Sequence, residues 1–203
     1  MRRGEQAKSM ELAVTRLALD EARHRHANEF AAALATLHLV KAGRRNSPDL
    51  LENAIRRLEC QLKLERLLLH PHSDNIAVSL HTMAALIAEA RGAADLLIVK
   101  AQTVSIPNPT LQRAILFIAY ELMINALKRS EPDSISAVKL SRQGSHLWLA
   151  ARNHITPNTK QNRGSGSGHE IIESFAKGLG GFVRARRSDH RYSVLVKIPL
   201  AHD

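Results

Sequence analysis

The sequence predicts an α+β protein, built as an N-terminal helical hairpin followed by an α/β sandwich with helices on one face of a mainly antiparallel sheet. Three observations predict it. Residues 9–42 contain no Gly or Pro and are rich in Ala, Leu, Glu and Arg, all good helix formers. A second amphipathic stretch follows after a short break. Beyond "HPHSDN" at 70–75 the pattern changes to long apolar helical segments interleaved with alternating, strand-like ones.

In the first stretch Ala27, Phe30, Leu34 and Leu37 recur at spacings of three and four, a core-facing seam. Gly43 stops it. "NSPDLL" restarts a helix with Ser47 as N-cap and Pro48 at the first helical position. Leu51, Ile55, Leu58, Leu62, Glu65 and Leu69 mark its seam, and "HPHSDN" ends it. One hairpin buries only one seam, so two copies are expected to pair as a dimeric four-helix bundle. The expected division is 1–73 for the dimerising hairpin and 74–203 for the sandwich. In the latter, "IAVSLHTMAALIAEA" reads as helix, "DLLIVKA" as strand and "PNPTLQRAILFIAYELMINALKRS" as a long buried helix. "SISAVKLSRQG" and "HLWLAARN" form a hairpin signal, and "HITPNTKQNRGSGSG" is a polar loop. "HEIIESFAKGLGG" is a helix with a glycine stop, and "FVRARRS" with "YSVLVKIPL" closes the sheet.

Composition narrows the classes. The chain has 203 residues, 44% hydrophobic but only 3% aromatic, so aliphatic side chains must fill the core. A formal charge of +10 favours an anionic partner: nucleic acid, a nucleotide, an anionic membrane or an acidic protein surface. The single Cys60 excludes an intramolecular disulfide and a cysteine-rich zinc site, and suits a reducing compartment. "MRRGEQAKSM" runs into "ELAVTRLALDEARHR", charged too early for a signal peptide, and no stretch reaches the ~18–20 uncharged apolar residues of a membrane span. A cytoplasmic protein without membrane association is expected.

Three motifs carry chemistry. In "ELMINALKRS", Glu121, Asn125 and Lys128 form one polar line on an otherwise apolar helix. Such a line is either a salt-bridged exposed stripe or a nucleotide cleft. In the cleft, Asn125 would ligate Mg²⁺, Glu121 orient water and Lys128 meet phosphate. In "RGSGSGHEII", Gly164, Gly166 and Gly168 precede a helix, where backbone amides can close around phosphate, although a plain flexible linker looks alike. In "EARHRHANEF", Glu21, His24 and Asn28 share one helical face while His26 points away and reads as solvated.

Together these motifs resemble the catalytic core of sensor histidine kinases of the GHKL ATPase superfamily. "ELMINALK" resembles their asparagine-box helix, and "GSGSGHEIIESFAKGLGG" their glycine-rich lid, helix and Leu-Gly-Gly turn. "HRHAN" is similar to the H-R-x-x-N phosphoacceptor box of the subgroup that includes the HWE kinases. The likeness spans residues 10–200 in the family's order. It implies that His24 accepts a phosphoryl group on a dimeric bundle that docks a response-regulator receiver domain, and that ATP and Mg²⁺ are the cofactors. A neutral imidazole is a competent nucleophile near neutral pH. Arg25 would offset phosphate charge, Glu21 orient the ring or take its proton, and Asn28 position an attacking water.

The chain departs from that pattern in one place. The family's strand before the lid ends in an acid that recognises adenine and is followed by glycines. Here the stretch is "AARNHITPN", with Asn153 at the acid's position and no glycine after it. An amide donates as well as accepts, so it is a poorer partner for the adenine amino group. Trp148 earlier in that strand reads as core. The expected reading is a damaged adenine pocket. A chain that begins almost at the bundle resembles stand-alone histidine phosphotransferases, which keep the bundle and a degenerate ATPase-like domain. Two alternatives stand beside it: an ATP-dependent sensorless kinase, and a basic nucleic-acid-binding protein. Basic residues spread along the whole chain and few aromatics disfavour the latter. A histidine metal site is disfavoured because His70 and His72 merely flank Pro71.

Overall fold

The computed structural model describes residues 16, 27–28, 30–41, 48–71, 73–93, 95–156 and 167–200. Helix α1 (Phe30–Lys41) runs beside α2 (Pro48–Leu69). Ala32, Ala33 and Thr36 of α1 and Ala54, Arg57 and Leu58 of α2 line one small groove between the two helices. Of the seam read from the sequence only Leu58 joins this contact. Phe30 is 63% exposed and Leu34 56%, and Leu51, Ile55 and Leu62 of α2 are exposed as well.

A second apolar face of α2 is the buried one. Cys60, Leu64, Leu67 and Leu68 turn inward, and the three leucines share one continuous core with α3 (Ile76–Arg91), α4 (Pro109–Arg129) and the sheet. Sequence reading took the mostly open stripe of α2, which includes the buried Glu65, because its 3–4 periodicity is as regular as that of the leucine face.

Caps set the helix starts. Asn75 Oδ1 accepts from the Ala77 amide at 3.1 Å, and Asn108 Oδ1 accepts from Thr110 and Leu111 at 3.0 Å each, with Pro109 at the first position. Helix α3 ends at Gly92 in the left-handed conformation. Helix α4 is apolar all round its middle: Ala114 through Ala119 are fully buried. It is long and apolar enough to cross a membrane by composition, yet 67% of its most apolar window is buried inside the fold, as expected of a core helix.

Strands β1 (Leu97–Ala101), β2 (Ser136–Gln143), β3 (His146–His154), β4 (Phe182–Arg187) and β5 (Arg191–Pro199) form one sheet in the order β1-β2-β3-β5-β4. Only β1–β2 is parallel, joined through α4; the other pairs are antiparallel. Val138, Leu140, Leu147, Leu149, Val196 and Ile198 face the helices and are buried. Helix α5 (Ser167–Gly178) lies against α4, where Phe175 stacks on Phe117 with ring centroids 5.6 Å apart. The glycine stop is physical: Gly180 has φ 72°, and a Cβ on Gly181 would stand 2.1 Å from the Lys197 carbonyl oxygen.

The opposite face of the sheet is open. Trp148 lies there rather than in the core, packed edge-on to Phe182 at 6.4 Å with the Lys197 ammonium 5.2 Å from its ring. Strand alternation explains the correction: Leu147 and Leu149 take the two inward positions on either side of it.

Candidate functional site

The asparagine-box residues fall where α4 meets α5. Glu121 is buried and Asn125 half-buried, while Lys128 one turn on is exposed. Gly168, the second residue of α5, sits directly on this pair. A Cβ at Gly168 would lie 2.7 Å from Glu121 Oε2 and 2.9 Å from Asn125 Nδ2. Glycine is therefore what lets the lid helix seat on the polar line. The structure brings together Glu121, Asn125 and Gly168.

Asn153 closes the same cleft from the sheet. It is 3% exposed, and its Nδ2 donates to the His154 carbonyl at 3.3 Å. With Leu122, Asn125, His169, Ile172 and Tyr192 it lines a small cleft in which the centre of a water-sized sphere has about 20 Å³ to move, above the ~10–15 Å³ that one water needs. Arg129, its guanidinium 5.6 Å from the Tyr192 ring centroid, covers the rim. His169 Nε2 is turned outward onto Glu173 at 3.2 Å. The described residues do not fit a magnesium nucleotide. The described residues leave little room beside Asn153, and the residue at the acid's position is an amide whose Nδ2 donates to the His154 carbonyl.

Of the remaining candidates only Asn28 is among the described residues. Asn28 lies on an exposed helical position. Glu21, His24, Arg25, Gly164 and Gly166 lie outside the described residues. Among the described residues no cluster of three or more His, Cys, Asp or Glu could hold a metal ion. One site escaped the sequence reading, a cleft lined by Arg56, Arg57 and Arg91. Its signal was the pair "RR" at 56–57, one turn before the buried Gln61.

No protein-family model matches the chain, and no curated protein matches it in sequence. Solved structures match its fold. The histidine kinase domain of the blue-light-activated histidine kinase from Erythrobacter litoralis EL346 aligns with TM-score 0.52 and 18% identity, covering 97% of this chain and 94% of that one. Histidine kinase AdeS from Acinetobacter baumannii aligns with TM-score 0.52 and 12% identity over 88% and 98%. A bacterial phosphotransferase aligns with TM-score 0.59 and 10% identity over 91% and 96%. The α+β architecture expected from the sequence is thus the fold of histidine kinase cores, a hairpin followed by a GHKL-type sandwich.

Proposed function

We propose that this chain is a two-component phosphotransfer protein that carries phosphate on His24 and exchanges it with a receiver-domain aspartate of a response regulator, without drawing on ATP. The observation that carries the reading is the closed cleft: Gly168 seated on Glu121 and Asn125, with about 20 Å³ left beside Asn153. A kinase-like architecture with this little room beside Asn153 supports a use for the histidine rather than for the nucleotide. The fold shared with a bacterial phosphotransferase supports the same side.

In this reading His24 attacks the phosphorus of an aspartyl phosphate. Its neutral imidazole forms the N–P bond as the P–O bond to the carboxylate breaks, and the reverse step returns the group. Arg25 offsets charge on the phosphoryl oxygens, Glu21 takes or orients the ring proton, and Asn28 is placed for water-mediated loss of phosphate. Two chains pair through the open stripe of Phe30, Leu34, Leu51, Ile55 and Leu62, an apolar surface that a monomer would leave in water. The net charge of +10 suits the acidic surroundings of a receiver aspartate.

Incubation with a ³²P-phosphorylated receiver should label the wild type and leave His24→Ala unlabelled, while ³²P-ATP labels neither. Label from ATP on wild type, lost in His24→Ala, would make the chain a sensorless histidine kinase and defeat the reading. No label from either source would leave a scaffold.

A further inference from the structure

We propose that the cleft between α2, the C-terminal end of α3 and α4 is a binding site for a small phosphorylated molecule of about nucleotide size, which clamps the hairpin onto the α/β layer. The inference goes beyond the phosphotransfer reading and does not need it. The cleft holds about 480 Å³, inside the ~300–1,000 Å³ range of small-molecule pockets. It lies on the face of α4 opposite the closed one: Tyr120 and Ile124 line it, whereas Leu122, Asn125 and Ala126 line the other.

Its walls are cationic. Arg56 and Arg57 come from α2 and Arg91 from the last turn of α3, and no carboxylate is among the described lining residues. Arg56 and Arg91 bring positive charge to one space from two helices, and planar guanidinium forks match phosphate oxygens two at a time. The helix end beneath Arg91 opposes an anion with only about half a negative charge, less than the guanidinium charge beside it. Its carbonyls at Ala88 and Glu89 are taken by the Ala93 and Gly92 amides at 2.8 and 3.3 Å, and Gly92 itself adds no side chain to the rim.

The floor gives the ligand its second property. Leu64, Ile87 and Ile124 with the Tyr120 ring are apolar, and Tyr120 is only 7% exposed. Gln61, 8% exposed, and Asn53 supply amides on one side. Inorganic phosphate would leave that floor wet, whereas an organic body attached to a phosphate or diphosphate covers it. Because the arginines come from two helices, one bound anion bridges α2 to α3.

Calorimetry on the full chain with ADP and with pyrophosphate tests this. Wild type should bind ADP saturably, one per chain, and more tightly than pyrophosphate. The Arg56→Ala/Arg91→Ala double variant should lose about tenfold or more in affinity, Arg91→Lys should lie between, and Asn125→Ala should bind as wild type. Both arginines are exposed, so circular dichroism should show the double variant folded; if it does not, Arg91→Lys carries the comparison. Absence of saturable binding by either probe overturns the proposal. So does binding indifferent to Arg56 and Arg91, or binding lost in Asn125→Ala, which would place the probe in the other cleft. Label transfer to His24 uses neither probe, so failure of one claim leaves the other standing.

Discussion

Helix α4 has a concavity on each side, and the two have opposite characters. The one beside Glu121, Asn125 and Asn153 is built from motif residues and encloses about 20 Å³. The one beside Tyr120 and Ile124 is built, Ile124 apart, from residues in no motif, holds about 480 Å³ and is lined by arginines from two helices. The difference separates a motif from its use. Glu121 and Asn125 stand at their expected spacing, yet α5 leaves little room beside them. Chemistry needs both the groups and the volume.

The largest effect should come from prying the closed cleft open. Phe175 is fully buried and stacked on Phe117, so it seats α5 on α4. Phe175→Ala removes that contact and should cost about 3–5 kcal/mol, a fall of roughly 10 °C or more in melting temperature for a chain of this size. Hydrogen exchange should rise first in α5. A variant that melts like wild type would mean that α5 is not what closes the cleft.

Asn153→Asp asks whether the closure is steric or chemical. The position is 3% exposed, so a carboxylate there is desolvated and should cost about 1–3 kcal/mol, less if Arg129 across the cleft turns inward. Burial raises the carboxyl pKa in the folded state. The folded chain then holds the proton more tightly, and the deficit should be absent below about pH 4 and grow as pH rises past the unfolded value. ADP binding in the cleft should not return, because the room there stays small. If the substitution alone restores ADP binding that Asn125→Ala then abolishes, the missing acid was the whole defect.

The same contrast marks what was legible beforehand. The helices and strands of the second half were readable because each has an unambiguous period and a chemical stop, as with Asn108-Pro109 at the start of α4 and Gly180-Gly181 after α5. Asn153 was readable as a substitution within a known pattern. The volume beside it was not, since it depends on how closely α5 approaches α4, which no local spacing encodes. Trp148 was misplaced because an aromatic in a strand can face either side, and only the register with β5 decides. The arginine cleft was invisible because Arg57 and Arg91 are 34 positions apart and meet only through α2 packing on α3. That packing rests on the leucine face of α2, masked in the sequence by the more exposed stripe beside it.

Cys60 reports on the open side. It is 1% exposed on α2, and burial raises its pKa, with the Glu89 carboxylate of α3 adding to the rise. The thiolate is the reactive form, so alkylation requires α2 to part from α3. The folded state holds this proton more tightly than the unfolded one. Its stabilising effect is therefore complete below the unfolded thiol pKa of ~8.5 and is lost as pH rises beyond it. ADP bridging the two helices should slow iodoacetamide labelling, about tenfold at ten times its Kd. Labelling unchanged at saturating ADP would show a ligand resting on one wall, without the clamp.

The smallest effect is the one that keeps the comparison honest on the stability side. Arg56→Ala/Arg91→Ala removes two exposed guanidiniums whose positions contribute little burial. Arg56 loses only a hydrogen bond from its Nη2 to Asn53 on its own helix. Exposed changes of this kind fall within about 0.5 kcal/mol, so in the absence of ligand the melting temperature should move by about 2 °C or less, and upward if mutual repulsion of the arginines dominates. An increase at low salt that vanishes at high salt would measure that repulsion directly, since screening shortens to about 3 Å at 1 M. A loss of several degrees would mean that the arginines hold α2 to α3 themselves. The two sides of α4 would then differ in shape alone, and the open cleft would be packing rather than a site.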